Sequence, residues 1–142
     1  MYVSYSVGDR VCRVYGKGWA LSVLIEKPCK SVLLPYPNKD LNPNKRLNPH
    51  VKAKVFKAAK NEAYTLAERA GLKGIQQRKL RLLFSPPDRR RRDLDNMHAS
   101  MKAALDGIAL AIGCDDSEFC PIIIDRAPPV KGGSVLVEFY GD

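Results

Sequence analysis

An α/β fold of the α+β type, in one small domain, follows from three features of the sequence. The chain has 142 residues, 45% of them hydrophobic, enough for one real core and too few for two. Two stretches place apolar residues at helical spacing, and four short runs rich in Val, Ile, Leu and Phe have strand length. Clusters of Pro, Asn and Gly punctuate them.

In chain order, residues 1–30 are the hardest to read, with apolar patches interrupted by Gly8, Gly16, Gly18 and Pro28. Val11 to Tyr15 and Trp19 to Ile25 are candidates for a hairpin. Ser31-Val-Leu-Leu34 reads as a short strand running into Pro35-Tyr-Pro-Asn-Lys-Asp-Leu-Asn-Pro-Asn44, which is loop. Asn48-Pro49 begins a helix, with Asn at the N-cap, Pro in the first turn and Leu47 as a hydrophobic staple. Val51, Val55, Ala58, Ala59, Ala63, Leu66 and Ala70 define its apolar face, and Gly71 stops it. Lys52, Lys54, Lys57 and Lys60 occupy another face, suited to a phosphate backbone or simply to solvent.

Arg78 to Phe84 reads as a strand, stopped by Pro86-Pro87. A second helix, about residues 95–112, carries Met97, Met101, Ala104, Leu105, Ile108 and Ile112 as a core stripe. Asp95, Ala99, Lys102 and Asp106 form a second stripe, so Lys102 is expected to point the way Asp95 does, ~10 Å along the helix. Gly113 ends the helix and Cys114-Asp115-Asp116-Ser117 turns. Strands at Pro121 to Asp125 and Ser134 to Tyr140 complete the chain.

Net charge is +9 and the pI near 9.5, which favours nucleic acid as partner. The charge is uneven: residues 39–92 hold 16 basic against 4 acidic residues, and residues 93–142 hold 3 against 9. Cys12, Cys29, Cys114 and Cys120 lack any Cys-x-x-Cys pairing, and neither His50 nor His98 completes a zinc spacing. No apolar run is long enough for a bilayer span or a signal peptide. A cytoplasmic protein with free thiols is expected.

The chemistry concentrates at Arg89-Arg-Arg-Arg-Asp-Leu-Asp-Asn96. Guanidiniums attract phosphate, whereas carboxylates repel it unless a cation lies between. Asp93, Asp95, Asp115 and Asp116 fall at the ends of regular elements, and hard carboxylates of this kind suit magnesium, with manganese an expected substitute. The cation would supply an activated water, and Lys102 would neutralise charge on a pentavalent phosphate. Spacing alone leaves another reading open: Asp95 as helix N-cap, Asp115 and Asp116 as turn formers, and the arginines as a solvated loop.

The run Arg89 to Asn96, followed by Lys102-Ala-Ala-Leu-Asp-Gly107 and Asp115-Asp116, resembles the RusA family of Holliday junction resolvases. Leu34-Pro-Tyr-Pro37, Asn44 and Val130-Lys-Gly-Gly133 add to the likeness, which spans about residues 31–140. The interval between Asn96 and Lys102 is three residues longer than in the best-known members.

The resemblance implies a RusA-like fold with a mixed sheet and two main helices, and a magnesium-dependent homodimer. Its activity would be a crossover junction endodeoxyribonuclease that cuts four-way DNA junctions by paired incisions, in recombination and repair. Such proteins are often bacterial or phage encoded. Carried over by residue, Asp93, Asp95 and Asp116 are the carboxylates, Asp115 is the adjacent acid and Lys102 is the catalytic lysine. Arg89, Arg90, Arg91, Arg92, Lys45, Lys52 and Lys131 are the expected DNA contacts. Residues 1–30 match nothing in the pattern and stand as an N-terminal extension, with residues 31–142 as the endonuclease domain. The rival expectation is a non-catalytic basic nucleic-acid-binding protein.

Overall fold

The computed structural model of the chain describes residues 2–7, 10–15 and 28–141. The fold is α+β, and its contacts divide it into two compact units. Residues 1–36, 75–89 and 117–142 make the first, and residues 37–74 and 90–116 the second.

The first unit is a mixed sheet. Its strands are β1 (Tyr2–Val7), β2 (Arg10–Tyr15), β3 (Lys30–Pro35), β4 (Lys79–Ser85), β5 (Ile122–Arg126) and β6 (Ser134–Tyr140), in the order β1-β2-β5-β4-β6-β3. Only β4 and β5 run parallel among these neighbours, and a parallel pair needs a long crossover, here residues 86–121. Strand β4 shows the period of two: Leu80, Leu82 and Phe84 are buried, and the residues between them are half-buried. Register places Val137 opposite Leu82 and Val32 opposite Val137, so one buried layer crosses three strands.

The other face of β4 holds Arg81, directly across from Glu138 of β6. The Arg81 guanidinium donates to Glu138 Oε1 through Nε at 2.9 Å and Nη2 at 2.6 Å, stands 3.9 Å from Asp125 Oδ2 and lies 6.0 Å from the Tyr140 ring centre. Asp125 and Glu138 are the charged residues that this face buries. Burial is the largest single influence and works to lower the Arg81 pKa, but the hydrogen bonds to Glu138 and the charges of Tyr140, Glu138 and Asp125 together outweigh it and raise the value.

Residues 2–7 and 10–15, set apart as an extension on sequence, contribute β1 and β2 to the sheet. Val11 to Tyr15 is indeed extended, but its hairpin partner is the preceding strand β1, and residues 19–25 lie outside the described residues. The Leu34-Pro-Tyr and Val130-Lys-Gly-Gly segments meet: Pro35 pairs with Ser134, and a Cβ on Gly133 would stand 2.8 Å from Tyr36 Cβ and 3.0 Å from Pro87 Cδ.

The second unit is helical. Helix α1 (Pro49–Arg69) starts where the sequence predicts, with Asn48 Oδ1 accepting from the His50 N–H at 2.9 Å. Its buried positions are Ala63 and Ala67; Val51 is 46% exposed and Ala58 is exposed. The predicted apolar face is therefore corrected: among the described residues full burial is reached only at Ala63 and Ala67, while Val55, Ala59, Leu66 and Ala70 are half-buried. The segment read as loop contains one 3-10 turn at Lys39–Leu41, capped by Asn38.

The single helix expected over 95–112 is two helices, α2 (Leu94–Ala99) and α3 (Lys102–Ile112). Ser100 Oγ donates to the Asn96 carbonyl at 2.8 Å, and the Met101 N–H reaches the His98 carbonyl at 2.9 Å instead of continuing the i−4 ladder. A serine hydroxyl bonded back to the i−4 carbonyl bends helices, and a tightened i−3 bond ends one. Met97, Met101, Leu105, Ile108 and Ile112 are buried as expected.

Candidate active site

Asp93 and Asp95 stand at the start of α2. Asp93 is the N-cap of α2, its Oδ1 accepting from the Asp95 N–H at 2.9 Å. That assignment corrects the alternative in which Asp95 caps the helix: Asp95 lies in the first turn, exposed, where a negative charge is favoured by the helix dipole. One turn further, burial lowers the pKa of His98 while the Asp95 charge opposes that shift. His98 was missed on sequence as a neighbour of this carboxylate, although i,i+3 spacing signals it.

Lys102 opens α3, and its ammonium donates to Asp106 Oδ1 at 3.0 Å and to Asp116 Oδ2. Asp116 begins the 3-10 turn that follows α3, Asp116–Glu118, so a lysine and an acid 14 positions apart meet. The Asp116 and Asp106 carboxylates raise the Lys102 pKa above its usual value. Lys102 is thus a cation at any neutral pH. Its side chain stays 59% exposed, open to an incoming ligand.

The break at Ser100–Met101 alters the expected geometry. Asp95 and Lys102 were to lie on one helix face; they belong instead to two helices with a turn between them. That turn falls between Asn96 and Lys102. Asp115 is exposed beside half-buried Asp116. Among the described residues, no group of three or more His, Cys, Asp or Glu side chains is arranged to hold a metal ion. Asp116 meets Lys102, therefore, but Asp93, Asp95 and Asp116 are not gathered into one ligand set.

Of the expected DNA contacts, Arg89, Arg90 and Arg91 are exposed, and half-buried Arg92 donates from Nη1 to the Arg90 carbonyl at 3.1 Å. Lys45 is bound to Asp40. Lys52 is exposed in the first turn of α1, and Lys131 is exposed in the turn between β5 and β6. Cys29, Cys114 and Cys120 form no disulfide among the described residues. No helix among the described residues is long and apolar enough to cross a membrane.

No protein-family model matches the chain. An uncharacterized protein of Xylella fastidiosa (strain Temecula1) is 38% identical over 122 residues, covering 81% of this chain and 78% of that protein. The chain belongs to this Xylella protein's family. The relative's description states no activity, so family membership brings no reaction with it. Within the family, this member's chemistry is read from its own side chains: a fixed, exposed ammonium between two carboxylates, preceded in the chain by a strongly basic segment.

Proposed function

We propose that the protein is a magnesium-dependent, structure-specific endodeoxyribonuclease that resolves Holliday junctions by paired symmetric incisions, in recombination and repair. The observation that carries this reading is the Lys102–Asp116 contact. The sequence resemblance assigns both residues to one catalytic set, and they meet although one opens α3 and the other follows it.

Aspartates are the right donors for a hard divalent cation, and magnesium needs only one or two carboxylates beside water and substrate phosphate. The resemblance assigns that role to Asp93, Asp95 and Asp116, with Asp115 adjacent, which would have to draw together around the cation, since among the described residues they form no ligand set. When bound it would supply an activated water and shield negative charge. Lys102 would place its ammonium against the phosphate that gains charge in the transition state. Arg89 to Arg92 would hold the DNA strand through its phosphates, helped by Lys45, Lys52 and Lys131. A four-way junction has approximate two-fold symmetry, so two symmetric cuts are most simply made by a homodimer. The proposed setting is the cytoplasm of a bacterium, with the gene of bacterial or phage origin.

A second reading is favoured by one observation: Asp93 caps a helix, Asp116 neutralises a lysine, and no three carboxylates form a ligand set among the described residues. Under it the protein is a basic nucleic-acid-binding protein that does not cut. Cleavage of a labelled mobile four-way junction, in magnesium and in EDTA beside linear duplex of the same sequence, separates the two. Symmetric, magnesium-dependent nicks confined to the junction support the nuclease; tight binding with no nick in magnesium or manganese supports the binding protein.

A further inference from the structure

We infer that the first turns of α1 are a docking surface for double-stranded DNA, where Lys54 and Lys57 neutralise backbone phosphates of the duplex beside the Lys102 end of the helical unit. The inference rests on the nucleic-acid part of the proposed function, not on cleavage, and adds two lysines that the proposed function leaves unused.

Two contacts set the geometry. Gly107 of α3 stands against the Lys60 carbonyl and the Tyr64 nitrogen of α1. Just beyond α1, the Gly74 N–H donates at 3.0 Å to the carbonyl of Ile112, the last residue of α3. The two helices therefore run in the same general direction. α1 begins at Pro49, eleven residues before Lys60, whereas α3 begins at Lys102, only five before Gly107. The difference carries α1 past the start of α3 by about 9 Å. Residues 49–54 are exposed at every position, as such an overhang would be, and Lys102 opens α3 at that same end.

The charge on the overhang is of one sign. Residues 41–61 hold Lys45, Arg46, Lys52, Lys54, Lys57 and Lys60 and no acid. His50, Lys54, Lys57 and Asn61 follow at i, i+4, i+7 and i+11, on one helix face, and all four are exposed. Among the described residues, Lys54 and Lys57 form no ion pair. A solvated helix face typically alternates its charges, because like-charged neighbours one turn apart destabilise the helix. This face repeats the positive charge instead, and phosphates would relieve the repulsion. From His50 to Lys57 the face rises about 10 Å, the length of about three phosphates along one strand of a duplex.

The opposing view is that these lysines are solvated and act on DNA only through net charge. Lys54→Gln with Lys57→Gln in the full chain is compared with Lys30→Gln with Lys73→Gln, which removes the same charge at two exposed positions elsewhere. Gln has nearly the helix propensity of Lys, and circular dichroism confirms that both doubles fold. Binding is titrated with a fluorescent four-way junction and with linear duplex of one arm's sequence. The α1 double is expected to raise Kd about tenfold at physiological salt and to flatten the salt slope by about two, one for each lost phosphate contact. The control double should stay within about twofold of wild type. In wild type, brief acetylation by an N-hydroxysuccinimide ester, read by mass spectrometry, should show Lys54 and Lys57 protected several-fold by the junction and Lys73 unprotected. Equal losses in the two doubles, wild-type affinity in the α1 double, or unprotected Lys54 and Lys57 in a protein that binds junctions overturns the surface and leaves the nucleic-acid reading standing. A wild-type protein that binds neither junction nor duplex retires that reading, and this surface with it.

Discussion

Gly107 of α3 faces the Lys60 carbonyl of α1 with no room for a methyl group: a Cβ would lie 2.2 Å from that oxygen and 3.1 Å from both the Lys60 carbonyl carbon and the Tyr64 nitrogen. Two effects compete when Ala replaces Gly107. Helix propensity favours Ala by about 1 kcal/mol, but the obstacle is backbone and cannot rotate away, so overpacking of about 1–3 kcal/mol dominates. Gly107→Ala should lower the urea midpoint, and Gly107→Val should lower it further. An unchanged midpoint would place the helix crossing elsewhere.

The Arg81–Glu138 pair makes a separate prediction in the sheet. Breaking a buried pair by removing one partner leaves an uncompensated charge and costs about 3–5 kcal/mol. Arg81→Met should therefore be strongly destabilising, the more so because Asp125 loses its nearby cation as well. The double variant Arg81→Met with Glu138→Leu should be more stable than either single change, a non-additivity that denaturant unfolding of the three proteins measures. Additive losses would show that the two side chains act independently.

Tyr140 gives the sheet a pH dependence at the alkaline end. Burial and the Glu138 carboxylate outweigh Arg81 and push its phenol from the ordinary 10.0 up to about 12. A raised folded value means the fold prefers the neutral phenol. The contribution is complete below the unfolded value near pH 10 and disappears as pH rises through about 12. Melting temperature should fall more steeply over that interval in the wild type than in Tyr140→Phe. Parallel curves would mean that Tyr140 ionises freely.

Much of this was readable from residue order. The period of two in β4, the Asn48-Pro49 start of α1 and the stop at Gly113 are local signals whose physics lies within a few residues. The break between α2 and α3 was hidden because Met97, Met101, Leu105 and Ile108 keep their helical spacing straight across it; a hydroxyl turned back on Asn96 leaves no mark on periodicity. The over-long apolar face of α1 has a related cause, since amphipathicity shows which side can pack but not which turns reach full burial. Asp95 was the residue read as the cap, and backbone geometry gives that role to Asp93 instead. The Lys102–Asp116 contact depends on how the turn after α3 folds back, which spacing along a helix cannot give.

Asp93 serves as a cap whatever else it does, and that allows its charge to be tested apart from its fold role. Asn caps as well as Asp. Asp93→Asn should leave the melting temperature nearly unchanged, whereas Asp93→Ala should cost about 1 kcal/mol. If the carboxylate belongs to the cleavage chemistry, both variants should cut a four-way junction at least about a hundredfold more slowly. Asp95→Asn should do the same and bind junctions as tightly as wild type, or tighter, because a negative charge facing phosphate has gone. Full cleavage by both Asp93→Asn and Asp95→Asn would take these two carboxylates out of the cleavage chemistry.

The arginines can be separated from the carboxylates by salt. If Arg89 to Arg92 bind phosphates, junction affinity falls linearly with the logarithm of salt concentration, and each neutralised phosphate adds about 0.9 to the slope on duplex DNA. Replacing the exposed Arg89, Arg90 and Arg91 with Ala should weaken binding at physiological salt and flatten the slope by about one for each phosphate left unneutralised. Arg92, whose guanidinium already bonds the Arg90 carbonyl at 3.1 Å, should contribute less than its neighbours when replaced singly. Lys45, bound to Asp40, must exchange that partner for phosphate, so Lys45→Ala should weaken binding less than Lys52→Ala. Titration of a fluorescent junction at several salt concentrations reads all of these at once, and a slope that none of the replacements changes would remove the arginine run from the DNA interface.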